Sequence, residues 1–172
     1  MKHNEAIQSK LFTLDSLLQA VSVWRTEGLP TGQAGKKIVF TNGCFDLLHL
    51  GHIDYLAKAA DLGDILIVGL NTDNSVRTLK GKDRPINDGH SRATLLAALS
   101  FVDAVILFDE ETPYNLIKSI EPEILVKGSD YKIEEIAGHE IVQAKGGKVI
   151  TINLLSGYST TLIEDKILKT RL

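Results

Sequence analysis

Cysteine is nearly absent from this 172-residue chain. Cys44 stands alone, which excludes an intrachain disulfide and any structural zinc site built on two cysteines. No apolar run approaches the roughly 20 residues that a membrane span needs. The opening residues, "MKHNEAIQSK", lack the apolar core of a signal peptide, so the chain is expected to stay in the cytoplasm, with no membrane partner. A basic surplus is missing too: the net charge is −3, which argues against a nucleic-acid partner and leaves room only for a local basic pocket. What remains is ordinary for a soluble globular protein, with 44% hydrophobic and 24% charged residues. The length suits one α/β domain with a well-buried core and is too short for two.

The chain then alternates. Thr13 is placed to cap a helix through Leu14, Leu17, Leu18, Val21 and Trp24, ended by Gly28 and Pro30. Residues 1–36 read as a helical arm and 37–172 as the main domain. Within it, "KIVFT", "ILIVGL", "DAVILF", "EILVKG" and "KVITINL" read as strands. "GHIDYLAKAADLG", "SRATLLAALSF", "TPYNLIKSI", "KIEEIAGHEIVQAKGG" and "STTLIEDKILKT" read as helices between and after them, and a short helix is expected inside the polar segment "NTDNSVRTLKGKDRPIND". Five short strands rich in β-branched residues, mostly separated by helices, predict an α/β fold. It is a doubly wound, Rossmann-like, five-stranded parallel sheet with helices on both faces, plus the N-terminal helix. Ligands of such sheets bind beyond the carboxyl ends of the strands, where the winding reverses.

The first strand runs directly into "TNGCFDLLHLGH". His49 and His52 fall three residues apart where a helix begins, so both can face one side, beside unpaired helix N–H groups that favour an anion. The histidine spacing by itself also suits a metal pair or simple packing. The strand before it, Gly43, Asp46 and Gly51 within it, and the helix after it favour a phosphate clamp able to donate to charge building on phosphorus. Asp46 has three readings: orienting His52, holding magnesium, or capping the helix. Cys44 has no base assigned to it and reads as a small packing residue.

A second element is "GYSTTLIEDKI", where Ser159, Thr160 and Thr161 open the last helix. Plain capping needs one hydroxyl rather than three, so the extra pair suits phosphate oxygens. Between the two elements lies the basic loop "RTLKGKDRPIN", which suits a lid over phosphates, with Lys80, Lys82 and Arg84 as candidates. "VKGSDY" follows the fourth strand on the same edge, and Gly128 there leaves room for a base. His3, His90 and His139 show no partner pattern and read as surface residues.

"FDLLHLGH" resembles the HxGH signature of the nucleotidyltransferase superfamily, and "GYSTT" is similar to its glycine-x-Ser-Thr-Thr signature. The resemblance implies that His49 and His52 bind the α-phosphate region of a nucleoside triphosphate, with Gly51 letting the backbone approach it. It implies that Ser159, Thr160 and Thr161 grip the β- and γ-phosphates. Arg92 resembles an arginine the family uses near the phosphates, so the implied catalytic set is His49, His52, Lys80 and Arg92. The implied nucleotide-binding set adds Asn42, Gly43, Cys44, Phe45, Asp46, Gly51, Lys82, Arg84, Lys127, Gly128, Asp130 and Tyr131 to the three hydroxyl residues. Mg²⁺ is the implied cofactor, with Asp46 its candidate ligand. A homo-oligomer is implied as well.

"FTNGCFDLLHLGHIDYLAKAADLGD", "LNTDNSVRTLKGKDRPIN", "DEETPYNLIKSIEPEILVKGSDY" and "GGKVITIN…GYSTT" follow one another as in bacterial heptose 1-phosphate adenylyltransferases. That similarity spans about residues 37–168. It implies transfer of AMP from ATP to D-glycero-D-manno-heptose 1-phosphate, giving ADP-heptose for lipopolysaccharide. The sugar kinase domain that precedes the bifunctional form is expected to be supplied separately. Cytidylyltransferases for glycerol 3-phosphate carry an arginine five residues before the serine, where this chain has Leu154, which favours ATP over CTP. Two alternatives stay open: a cytidylyltransferase for a small phosphorylated alcohol, and a nucleotide-binding module without turnover.

Overall fold

The computed structural model describes residues 2–26 and 35–170. The helix end expected at Gly28 and Pro30 falls outside the described residues.

Strands β2 (Ile38–Gly43), β3 (Ile65–Asn71), β4 (Ala104–Phe108), β5 (Ile124–Gly128) and β6 (Lys148–Ile152) form where the β-branched runs placed them. A sixth strand, β1 (Leu11–Phe12), pairs with Val105 and Ile106 of β4. The sheet is therefore six-stranded rather than five-stranded. Two residues are too few to show an alternation, which is why β1 is invisible in the sequence. All pairings are parallel, in the order β1-β4-β3-β2-β5-β6. The chain winds outward from β2 through β3 to β4, then crosses back to β5 on the other side of β2. The winding thus reverses at the β2–β5 seam.

Side chains alternate across the strands and feed two cores. On one face Val39, Leu66, Val68, Val105 and Val126 pack with Leu56 and Ala59 of α3 (Leu50–Ala60) and with Ala93 and Leu96 of α5 (Gly89–Ala97). On the other, Ile38, Phe40, Ile67, Ile106 and Leu125 meet Leu17 and Val21 of α2 (Leu14–Thr26). They also meet Leu116, Ile117 and Ile120 of α6 (Tyr114–Ile120), and Val142 of α7 (His139–Ala144). Residues ahead of β2 thus add a strand and a helix to the sheet they precede. A further helix, α1 (Lys2–Gln8), buries no residue and so leaves no stripe in the sequence.

Several helices open on side-chain caps. Thr72 accepts from the Ser75 N–H at the start of α4 (Asp73–Lys80), and Asp88 accepts from the Ser91 N–H at the start of α5. The long helix expected over "KIEEIAGHEIVQAKGG" is instead a 3₁₀ turn, Ile133–Glu135, and α7. They are separated at Gly138, whose φ of 81° is left-handed and breaks the helical path. The last helix is α8 (Thr160–Lys169).

Candidate active site

A cleft of about 770 Å³ opens at the carboxyl ends of β2 and β5, on the seam where the winding reverses. It brings together Asn42, Gly43, Cys44, Phe45, Asp46, His49, Gly51, His52, Lys80, Arg84, Lys127, Gly128, Asp130, Tyr131, Ser159, Thr160 and Thr161. Segments separated by more than 100 residues thus meet in one depression. A smaller cavity of about 560 Å³ lies at the opposite edge, lined by Arg25, Lys37, Glu123 and Lys148, and holds none of the motif residues.

Histidine 49 is the N-cap of α3, and its Nδ1 accepts from the His52 backbone N–H at 3.3 Å. That bond fixes the ring and puts its proton on Nε2. The His52 ring stacks against it, with centroids 3.8 Å apart and planes 16° from parallel, and Phe45 meets His52 edge-on at 5.2 Å. The His52 Nδ1 is buried without a hydrogen-bond partner. Burial lowers the His49 pKa below its ordinary value. Burial first, then the neighbouring His49, pull His52 down to about 4 against a weaker upward pull from the Leu47 carbonyl. At neutral pH the pair is uncharged.

The two signatures touch. A Cβ on Gly51 would lie 3.1 Å from His49 Nδ1 and 3.1 Å from the Tyr158 Cβ. Glycine is what lets the α3 start and the "GYSTT" turn approach one another. Ser159 alone supplies the α8 cap, accepting from the Leu162 N–H at 3.1 Å. Among the described residues, no hydrogen bond uses the Thr160 or Thr161 hydroxyl, so both remain for a ligand.

The basic loop divides. Lys80 lines the cleft; Lys82 is exposed and is not among the lining residues. Arg84 reaches the cleft but is already paired, with Asp46 at 2.7 Å and with Glu164 of α8 at 2.6 Å. It ties the first signature to the last helix.

Two of the expected site residues already have partners of their own. Arg92 does not stand in the cleft: its side chain is 0% exposed, and it donates to the carbonyls of Cys44 (2.7 Å) and Asn87 (3.0 Å) and to Asp73 Oδ1 (2.7 Å). It holds the turn after β2, where Phe45 adopts a left-handed φ of 43°. Asp46 has no hydrogen bond to His52 and does not cap α3, where His49 is the cap. Its two oxygens accept from Arg84 and from the N–H groups of Ile86 and Asn87. Burial alone would raise its carboxyl. The bonds from Asn87, Ile86 and Arg84 outweigh that and hold it below the ordinary carboxylate range. Among the described residues, no three His, Cys, Asp or Glu side chains come together to hold a metal ion.

Lys127 donates to the Asn42 Oδ1 at 2.9 Å and the Asn42 carbonyl at 3.2 Å, and lies 5.1 Å from the Tyr131 ring centre. Burial lowers its pKa, countered by the nearby Asp130. The thiol of Cys44 is pushed up by burial despite the Lys80, Arg92 and Lys127 charges, so it is a poor nucleophile. Tyr158, Asn71, Glu111 and Glu135 also line the cleft and were not singled out from the sequence. Asn71 ends β3, so its position at a strand's carboxyl end was the available signal.

The fold is shared widely. A pantoate-beta-alanine ligase from Francisella tularensis superposes with a TM-score of 0.55 at 17% identity, covering 94% of this chain and 78% of that one. A lipopolysaccharide core biosynthesis protein from Thermoplasma volcanium GSS1 superposes with a TM-score of 0.59 at 35% identity, over 73% of this chain and all of that one. Proteins named bifunctional protein HldE are similar in sequence. That of Citrifermentans bemidjiense is 53% identical over 160 residues, 93% of this chain and 31% of its own. That of Geobacter metallireducens is 47% identical over 168 residues, 98% of this chain and 33% of its own. The chain therefore spans about a third of the length of these relatives. The cytidylyltransferase-like family model matches residues 40–166, from β2 through most of α8, and the chain belongs to that family.

Proposed function

We propose that this chain is a nucleotidyltransferase that moves AMP from ATP to D-glycero-D-manno-heptose 1-phosphate, releasing pyrophosphate and forming ADP-heptose for lipopolysaccharide. The observation that carries the reading is the meeting of the two signatures across Gly51, with the stacked histidines on one side and the α8 start on the other. That arrangement suits one triphosphate, its α-phosphate at His49 and His52 and its outer phosphates at Ser159, Thr160 and Thr161.

A phosphate oxygen of the sugar phosphate attacks the α-phosphorus. A new P–O bond forms as the bond to the β-phosphate oxygen breaks, and pyrophosphate leaves. The attacking group is already largely dianionic at pH 7, its second pKa being about 6, so no base is needed to activate it. The uncharged His49 carries its proton on Nε2, so the pair offers ring N–H groups to the charge that grows on phosphorus. Lys80 neutralises the leaving phosphates from the end of α4. Among the described residues no three His, Cys, Asp or Glu side chains come together, and in this reading Mg²⁺ enters with the triphosphate as Mg·ATP.

ATP is favoured over CTP by Leu154 in place of the arginine of the cytidylyl enzymes. The heptose acceptor is favoured by the similarity running from about residue 37 to 168, by the HldE relatives, and by the likeness to the lipopolysaccharide core biosynthesis protein of Thermoplasma volcanium. A cytoplasmic location and a homo-oligomer belong to the same reading.

The test is pyrophosphate release with Mg²⁺, offering ATP and CTP each with heptose 1-phosphate and glycerol 3-phosphate. Release with ATP and the heptose is expected. Release only with CTP and glycerol 3-phosphate would keep the chemistry and overturn the substrates, and silence in all four would leave a binding module.

A further inference from the structure

The cleft has two halves, one over each face of the sheet. The histidines and the α8 start lie with α3, over the face of Val39 and Val126. Strand alternation puts Asn42 on the opposite face, with Ile38 and Phe40, and Lys127 there with Leu125. The 2.9 Å bond between Lys127 and Asn42 fits that parity. Glu111 and Glu135 line the same half, ahead of α6 and in the 3₁₀ turn.

Lys127 differs from Arg84, which is ion-paired, and from Lys80, which is in no ion pair among the described residues but is exposed. The Lys127 ammonium sits in a half-buried position, yet none of the ion pairs among the described residues involves it. Its bonds go to a neutral amide and a carbonyl, and the Tyr131 ring supplies only a cation–π contact. An ammonium has three N–H donors, and two are used. A partly desolvated cation with one free donor, near Asp130 but not ion-paired to it, is a place for an anion to bind.

In-line displacement requires the entering oxygen and the leaving pyrophosphate to stand on opposite sides of the α-phosphorus. The first-face half already accounts for the triphosphate, in the reading given above. The entering group therefore comes from the second-face half. We propose that Lys127 anchors the phosphate of the acceptor, a sugar monophosphate, in the half of the cleft it shares with Asn42, and does not belong to the nucleotide site. This rests on the nucleotidyl-transfer reading. Asn42 orients the ammonium so that its remaining N–H points into the cleft.

The test separates the two ligands without turnover. Calorimetry measures binding of α,β-methylene-ATP to the protein, and then of heptose 1-phosphate to the protein saturated with that analogue. In Lys127→Met the analogue is expected to bind within about twofold of the parent chain, while the sugar phosphate binds at least about tenfold more weakly. Lys127→Arg, which keeps the charge, is expected to recover most of that loss. Lys127→Gln replaces the Met variant if the latter does not fold. Equal acceptor affinity in parent and variant overturns the assignment and leaves the proposed function standing. A loss confined to the ATP analogue returns Lys127 to the nucleotide and overturns it as well. A folded parent chain that binds no analogue sinks the nucleotidyl-transfer reading, and this assignment with it.

Discussion

The imidazoles of His49 and His52 lie face to face, 3.8 Å apart, with one His52 nitrogen buried and unpartnered. Two rings so placed cannot both take a proton cheaply, and this has a consequence for stability. His52 binds its proton near 6.5 when exposed in the unfolded chain and near 4 when folded. Between those values unfolding takes up a proton, so acid favours the unfolded state. The contribution is full above about pH 6.5 and is lost as pH falls toward 4. The urea midpoint should drop more between pH 7.5 and pH 5 in the parent chain than in His52→Gln. Identical drops would mean that the ring is not buried neutral.

Removing either ring should cost catalysis more than folding. His49→Ala and His52→Ala are each expected to lower kcat for pyrophosphate release by about 10²-fold or more, with circular dichroism unchanged. Ordinary turnover in both would sink the role given to the pair.

Gly51→Ala tests the contact between the signatures. Alanine is the better helix former by roughly 1 kcal/mol, so thermal stability should hold or change little. Its Cβ, however, would sit 3.1 Å from both His49 and Tyr158, and one of them must yield by a few tenths of an ångström. Reacting groups are sensitive to such shifts, and activity should fall by about tenfold or more. A fully active, folded variant would show that the two walls move apart freely.

Arg92→Met probes the buried guanidinium. The substitution strands the Cys44 and Asn87 carbonyls and leaves Asp73 without its partner. A loss of about 3 kcal/mol in unfolding free energy is expected. A variant as stable as the parent would mean that water satisfies those carbonyls.

Much of this was legible in the sequence because strand ends and helix starts carry their own marks. The β-branched runs fixed five strands, and "HLGH" and "YSTT" marked two helix starts that the fold brings face to face. Side-chain direction was the hidden part. Arg92 and Lys80 are both cations near a helix end. Only the packing of α5 shows that Arg92 turns inward to carbonyls, while Lys80 turns to the cleft. Asp46 kept three readings in the sequence for the same reason, since its partners at Ile86 and Asn87 are set by how a loop about 40 residues away folds back. Tyr158 was read past because its role is steric and appears only against Gly51.

The α8 helix buries none of its residues, and its side-chain tie to the first signature is the Arg84–Glu164 pair. A ten-residue helix without an apolar anchor is marginal in water. The cleft therefore has one wall of core rigidity and one of local, nearly free-standing structure. Amide hydrogens of α8 should exchange with solvent far faster than those of α3, although both helices begin with a signature. An anion held at Ser159 would be read out as slowed exchange along the whole of α8, so occupancy of the site can be followed from the far end of a helix that touches little else.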